Sequence, residues 1–186
     1  RKFLSEEKEK SYREGLAEAM KAGYDILKAD GTSLDATQAA VVVMEENPLF
    51  NAGKGSVYTH DGDHEMDACI MDGANRNVGA VAAVRLVANP IKLARLVLDD
   101  SPHVCLAGTG AERFAEKHGM ELVEDSRYFD TKHRWRQLQQ ALKREKESQG
   151  KPQTQLDHSD DKDKIGTVGA VALDVHGHLA AATSTG

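Results

Sequence analysis

The sequence has 186 residues and a formal net charge of −6, from 30 acidic and 24 basic side chains. That is one domain's length, with enough mass for a sizeable core. The acidic balance offers no basic stripe to neutralise phosphates, which argues against a nucleic-acid partner, and no apolar run reaches the length of a membrane span.

The pattern over residues 5–29 predicts a helix, with Tyr12, Leu16, Ala19, Met20, Gly23 and Leu27 recurring at helical spacing among Glu and Lys. Asp30-Gly31 ends it. Thr32 or Ser33 then caps a second helix, with Asp35 three residues after Thr32 as in a capping box. The β-branched run Val41-Val42-Val43-Met44 competes for strand, while Ala36, Ala39 and Ala40 lead into it as a helix would. Pro48 limits its extent. The loop Asn47-Pro-Leu-Phe-Asn-Ala-Gly-Lys-Gly55 has two glycines two apart, which allow tight turning and inward carbonyls. Most such loops simply connect a helix to a strand.

Ser56–His60 and Met66–Met71 are expected to form a hairpin about Asp61-Gly62. The same region mimics a calcium loop at Asp61, Asp63, Glu65, Asp67 and Asp72, but Met66 stands where the sharp turn demands glycine. His60 and His64 are read as polar residues of an exposed hairpin. Val78–Val87 is nearly continuous in apolar residues and predicts a strand covered on both faces. Asn89-Pro90 opens a further helix. Residues 103–118 read as strand, glycine turn and helix. The turn could hold an anion, yet it lacks the third glycine of a dinucleotide fingerprint and any Gly-Lys-Ser/Thr.

Cys69 and Cys105 each lie in an apolar run, which predicts buried free thiols in a reducing, cytoplasmic compartment rather than a disulfide framework. A start at Arg1 says nothing about a leader. After Asp130, Trp135, Leu138 and Leu142 form a narrow apolar stripe on a charged helix that Gly150 and Pro152 end. Residues 149–164 are polar and charged, with Leu156 the lone aliphatic; Asp160, Asp161 and Asp163 read as solvated charges. Such a segment is expected to be mobile. The last elements, Thr167–Val175 and Leu179–Thr185, form a hairpin about His176-Gly177-His178.

Thr167 follows a glycine at the start of a strand. In mid-chain a threonine hydroxyl is a poor nucleophile; as a first residue it gains its own α-amino group, of pKa about 8, as the adjacent base. Chemistry alone leaves a loop ending as the commoner reading. However, Ile165-Gly-Thr-Val-Gly-Ala-Val-Ala-Leu-Asp174 followed by Leu179-Ala-Ala-Ala-Thr-Ser-Thr-Gly186 resembles the processing site of the plant-type L-asparaginase/isoaspartyl peptidase family. These are N-terminal-nucleophile threonine hydrolases whose precursor cuts itself into α and β subunits.

The resemblance implies a bond cut between Gly166 and Thr167, Thr167 as nucleophile, Thr185 as the threonine that hydrogen-bonds it, and Asn51 beside the active site. It implies a structural sodium ion on the backbone carbonyls of Met44, Glu45, Asn47, Phe50, Ala52 and Lys54, and no organic cofactor. Residues 1–166 would be the α-subunit region, with 149–166 a mobile linker, and residues 167–186 the start of the β subunit. The single domain is expected to be incomplete at both ends, without the family's His-Gly-Gly-Ala-Gly strand and without its substrate-binding arginine and aspartate. The implied fold is a four-layer αββα sandwich; pattern alone supports α/β or α+β. The implied activity is hydrolysis of L-asparagine and β-aspartyl dipeptides, with the cleaved subunits paired and two αβ units forming a dimer. A glycosylasparaginase and an uncleaved, non-catalytic scaffold are the alternatives.

Overall fold

Side-chain caps set the first two helices. In the computed structural model, which describes residues 5–148 and 166–186, α1 spans Glu6–Lys28 and α2 spans Ser33–Glu46. Ser5 Oγ accepts the Lys8 N–H, and Glu6, Glu7 and Glu9 place negative charge at the positive end of the α1 dipole. Thr32 Oγ1 accepts the Asp35 N–H at 3.1 Å and donates to the Asp35 carboxylate at 2.7 Å, as the capping-box spacing predicts. The β-branched run 41–44 is therefore helical. Tertiary burial decides it: Val41 and Met44 sit in the core.

α1 packs on α2 through its small residues. Gly15, Ala19 and Gly23 are its buried positions, whereas Leu16 and Met20 of the expected stripe are exposed. Those two, with Tyr24, border a groove of about 360 Å³ between α1, α2 and the strand that follows Thr167.

The sheet comprises β1 (Met66–Asp72), β2 (Val78–Val84), β3 (Cys105–Ala107), β4 (Val168–Leu173) and β5 (Leu179–Thr185), in the order β3-β2-β1-β5-β4. Only β2 and β3 run parallel, joined through α3 (Pro90–Asp100) in the crossover that parallel strands require. Pro90 takes the first helical turn of α3, as its sequence position predicts. α4 is Gly108–Lys117 and α5 is Lys132–Ser148.

Met66, Ala68 and Ile70 of β1, Val81 and Val84 of β2, and Ala180 and Ala182 of β5 meet Ile91, Leu93 and Val97 of α3 and Val41 and Met44 of α2 in one core. The opposite face of the sheet is open among the described residues: Val171 is 82% exposed, with Leu173, Leu179 and Met71 also exposed. β2 is thus covered on one face rather than two, and the final hairpin is buried on one face only. The result is mixed α/β, one sheet under one helical layer, as two of the four layers of an αββα sandwich would be.

Three further expectations change. Residues 56–60 form no strand; Asp61-Gly62 turns, with the Gly62 N–H on the Thr59 carbonyl at 3.1 Å, but β1 pairs with β2 and β5 instead. Sheet partners on both edges of β1 leave no place for residues 56–60 there. His64 is buried, not an exposed hairpin residue. Cys105 is exposed and Cys69 half-buried, both as free thiols; they lie on the open face.

On α5 the buried residue is Arg134, while Trp135 is half exposed and sets its edge on Tyr58. Of the linker expected over 149–166, residues 149–165, with Leu156, Asp160, Asp161 and Asp163, lie outside the described residues.

Asp174 locks the β4–β5 turn to the start of α2. Its Oδ1 accepts the His176 and His178 N–H groups, each at 3.0 Å, and its Oδ2 accepts the Ser33 N–H at 3.1 Å. Burial raises its carboxyl, but these donors outweigh burial and hold it at about 2. A depressed carboxylate stabilises the fold above the ordinary range near pH 4, and that contribution is lost as pH falls through about 2.

Candidate active site

The register of the final hairpin brings the expected site residues together. Val168 pairs with Ser184, which carries Thr167, one residue earlier, beside Thr185; the next strand places Asp67 opposite Thr185. Thr167 Oγ1 donates to Thr185 Oγ1 at 3.1 Å. Thr167 is exposed, while Thr185 is half-buried.

Asn51 joins this pair from the loop after α2. It is 4% exposed. Its Oδ1 accepts the Val57 N–H at 2.9 Å, which fixes the orientation of the amide, since an NH₂ group there would face a donor. The Nδ2 group then points at three acceptors: the Gly166 carbonyl at 2.7 Å, the Gly186 carbonyl at 3.0 Å and Thr185 Oγ1 at 3.4 Å. An amide has two N–H groups, so the two carbonyls take them by distance. The carbonyl flanking the expected cut is therefore held by a buried neutral donor. Such a donor can stabilise negative charge on that oxygen without charge of its own.

Gly186 packs against Ser56 so closely that a Cβ there would lie 2.2 Å from the Ser56 Cβ. A side chain at position 186 would push Ser56 away. Gly166 shows no such demand: open space surrounds it, and its φ lies outside the left-handed region. No conformational need for glycine at 166 is visible in this arrangement.

The loop carrying Asn51 also brings backbone oxygens together. Gly53 has φ +51°, and a Cβ on it would stand 2.3 Å from the Glu45 carbonyl oxygen. A Cβ on Gly55 would stand 1.9 Å from the Phe50 oxygen and 2.8 Å from that of Pro48. The two glycines form a cradle that only an absent side chain permits. Around it, the Met44, Asn47 and Ala52 carbonyls each accept one backbone N–H, from Asn47, Phe50 and Gly55, leaving each a second lone pair. The Lys54 ammonium sits 5.1 Å above the Tyr128 ring, so its side chain is engaged elsewhere. Backbone oxygens without thiolate or imidazole are the donor type that a hard cation takes.

Sequence reasoning missed the Glu45 side chain. Its Oε1 accepts the Ile91 N–H at 2.9 Å and so caps α3, whose N-cap Asn89 makes no side-chain cap. Burial pushes its carboxyl up to about 7, against weaker opposition from Ser184, Ile91, Asn89 and Lys92. Asp67 was missed as well: its Oδ1 holds the Ala83 N–H at 2.8 Å, where Ala83 has φ +52° and β1 and β2 slip register. No local motif marks either side-chain role, because each acts on an element distant in sequence.

Among curated proteins, the isoaspartyl peptidase of Escherichia coli (strain K12) is 48% identical over 187 residues, covering 98% of this chain and 56% of that relative. The isoaspartyl peptidase/L-asparaginase of Mus musculus is 47% identical, over 98% of this chain and 53% of its own length. That of Homo sapiens is 42% identical, over 98% and 56%. The chain spans about half the length of the curated relatives it matches. A family model described as asparaginase matches residues 1–186, the whole span that carries the paired threonines and the carbonyl loop, and the chain belongs to the asparaginase family.

Proposed function

We propose that this chain is the α-subunit region and processing junction of a self-cleaving threonine hydrolase acting on L-asparagine and β-aspartyl dipeptides. The observation that carries the reading is the Thr167–Thr185 hydroxyl pair beside a Gly166 carbonyl held by Asn51. The names of the relatives, isoaspartyl peptidase and L-asparaginase, support the substrate class.

In the first reaction Thr167 Oγ1 attacks the Gly166 carbonyl carbon. Negative charge develops on the Gly166 oxygen against Asn51 Nδ2, the C–N bond breaks, and the nitrogen takes the proton. The resulting ester is hydrolysed by water, which frees a Gly166 carboxylate and a Thr167 with its own amine. That amine then serves as base. Thr167 Oγ1 attacks the side-chain carbonyl of the substrate, ammonia or the α-amine of the second residue leaves, and water hydrolyses the aspartyl ester. Thr185 holds the hydroxyl in place throughout.

The cleaved subunits stay together and two αβ units pair, a reading supported by the open apolar sheet face, which calls for a covering layer. The free thiols fit the cytoplasm, and among the described residues no helix is long and apolar enough to cross a membrane.

The test is turnover by the full-length protein. Asparagine and β-aspartyl dipeptides are expected to be hydrolysed and glycosylated asparagine left intact. Turnover of the glycosylated compound alone would replace this reading with a glycosylasparaginase.

A sodium ion is assigned to the carbonyls of Met44, Glu45, Asn47, Phe50, Ala52 and Lys54, where it would fix the loop that carries Asn51. A crystal structure of the full-length protein is expected to show one light cation among these oxygens, and EDTA to leave activity unchanged. A transition-metal anomalous signal there, or an ordered loop without cation density, overturns the assignment.

A further inference from the structure

His64 is 1% exposed and has partners on both ring nitrogens. Nδ1 lies 3.1 Å from the Val57 carbonyl and 3.1 Å from Ser56 Oγ; Nε2 lies 3.3 Å from Asp130 Oδ1. A carbonyl oxygen only accepts, so the bond to Val57 requires the hydrogen on Nδ1. The ring lies 4.1 Å from Tyr58 and 5.9 Å from Phe129, which leaves it little freedom to turn.

The two residues it holds are the two that shape the junction. Val57 uses its carbonyl for His64 and its N–H for Asn51 Oδ1, and Asn51 Nδ2 reaches the Gly166 carbonyl. Ser56 is fully buried and forms the wall against which Gly186 packs, next to Thr185. A continuous run of hydrogen bonds thus leads from the buried His64 ring to the carbonyl at the expected cut. The neighbouring Arg134 ties α5 to the same loop, its Nε donating to the Gly55 carbonyl at 2.7 Å.

We propose that His64 is a positioning residue for self-cleavage: through its Nδ1 hydrogen it fixes Ser56-Val57, and through them the Asn51 amide and the seat of Gly186. This rests on the reading of Gly166–Thr167 as the cleaved bond. His64 touches neither the nucleophile nor the scissile carbonyl, so its effect passes through Asn51.

The experiment follows chain cleavage of the full-length protein by intact mass, alongside thermal unfolding. His64→Asn keeps an N–H donor near the Nδ1 position, and His64→Gln keeps one near Nε2 instead. His64→Asn is expected to cleave within about threefold of the parent, and His64→Gln about tenfold slower, the loss of roughly one orienting hydrogen bond. A purely structural role would make cleavage follow melting temperature across the pair, whichever nitrogen is mimicked. That outcome, or equal cleavage by both, overturns the proposal. Should His64→Gln fail to fold, His64→Leu, which fills the site without a donor, takes its place: cleavage about tenfold slower than His64→Asn at matched fractions folded supports the proposal, and equal cleavage overturns it. A parent protein that never cuts at Gly166–Thr167 refutes the proposed function itself, whereas a parent that cuts while all variants keep pace refutes only this inference.

Discussion

Thr167→Ala in the full-length protein is expected to remain a single chain of undiminished mass and to lose hydrolytic activity by several orders of magnitude. Both reactions begin at the same oxygen, so one substitution removes both. Thr167 is exposed, and among the described residues its side chain bonds Thr185 at 3.1 Å. Its replacement should therefore shift stability by only about 0.5 kcal/mol, as surface changes commonly do. Unfolding is thus no explanation for the loss. Thr167→Ser and Thr167→Cys keep a nucleophile at that place and are expected to cleave into two chains, the second starting with the new residue. Intact-mass spectrometry with N-terminal sequencing reads the result. An active full-length enzyme that stays one unprocessed chain sinks the mechanism.

How much of this was legible beforehand depends on the range of the interaction. Helix starts were readable because their signals are local: Thr32 with Asp35, and Pro90 after Asn89, act within one turn. The threonine pair was readable through the resemblance, and the β4–β5 hairpin register then brings it together. The strand at 56–60 was misread because the Asp61-Gly62 turn is real but serves a loop; only the sheet order shows that β1 already has a partner on each edge. His64 was misread for the same reason, since burial depends on Asp130 and Phe129, far along the chain. The stripe expected on α1 holds Ala19 and Gly23, which are buried, but also Leu16 and Met20, which are exposed; Gly15, outside that stripe, is buried against Asn47 and Phe50, and its lack of bulk carries no hydrophobic signal. The two-sided burial expected of β2 concerns a face left open by the described residues.

Asn51 carries the second large effect. The loop holds its amide in advance of the reaction, through Val57 on one side and the Gly166 and Gly186 carbonyls on the other. A donor placed this way is worth most when the carbonyl oxygen becomes an oxyanion; removing one such donor commonly costs about 10²–10³ in rate, or roughly 3–4 kcal/mol. Asn51→Ala should slow self-cleavage by that order. It should also cost about 1–3 kcal/mol of stability, because buried partners, the Val57 N–H among them, lose their bond. Asn51→Asp separates the two contributions. Its shape is nearly unchanged and an oxygen still accepts from Val57, but the second oxygen now faces the Gly166 and Gly186 carbonyls, acceptor against acceptor. Its cleavage is expected to be at least as slow as that of Asn51→Ala, whatever its melting temperature. Time courses of chain cleavage at matched fractions folded make the comparison. Asn51→Asp cleaving within about threefold of the parent would mean that Asn51 only supports the loop, and the charge on Gly166 would need another donor.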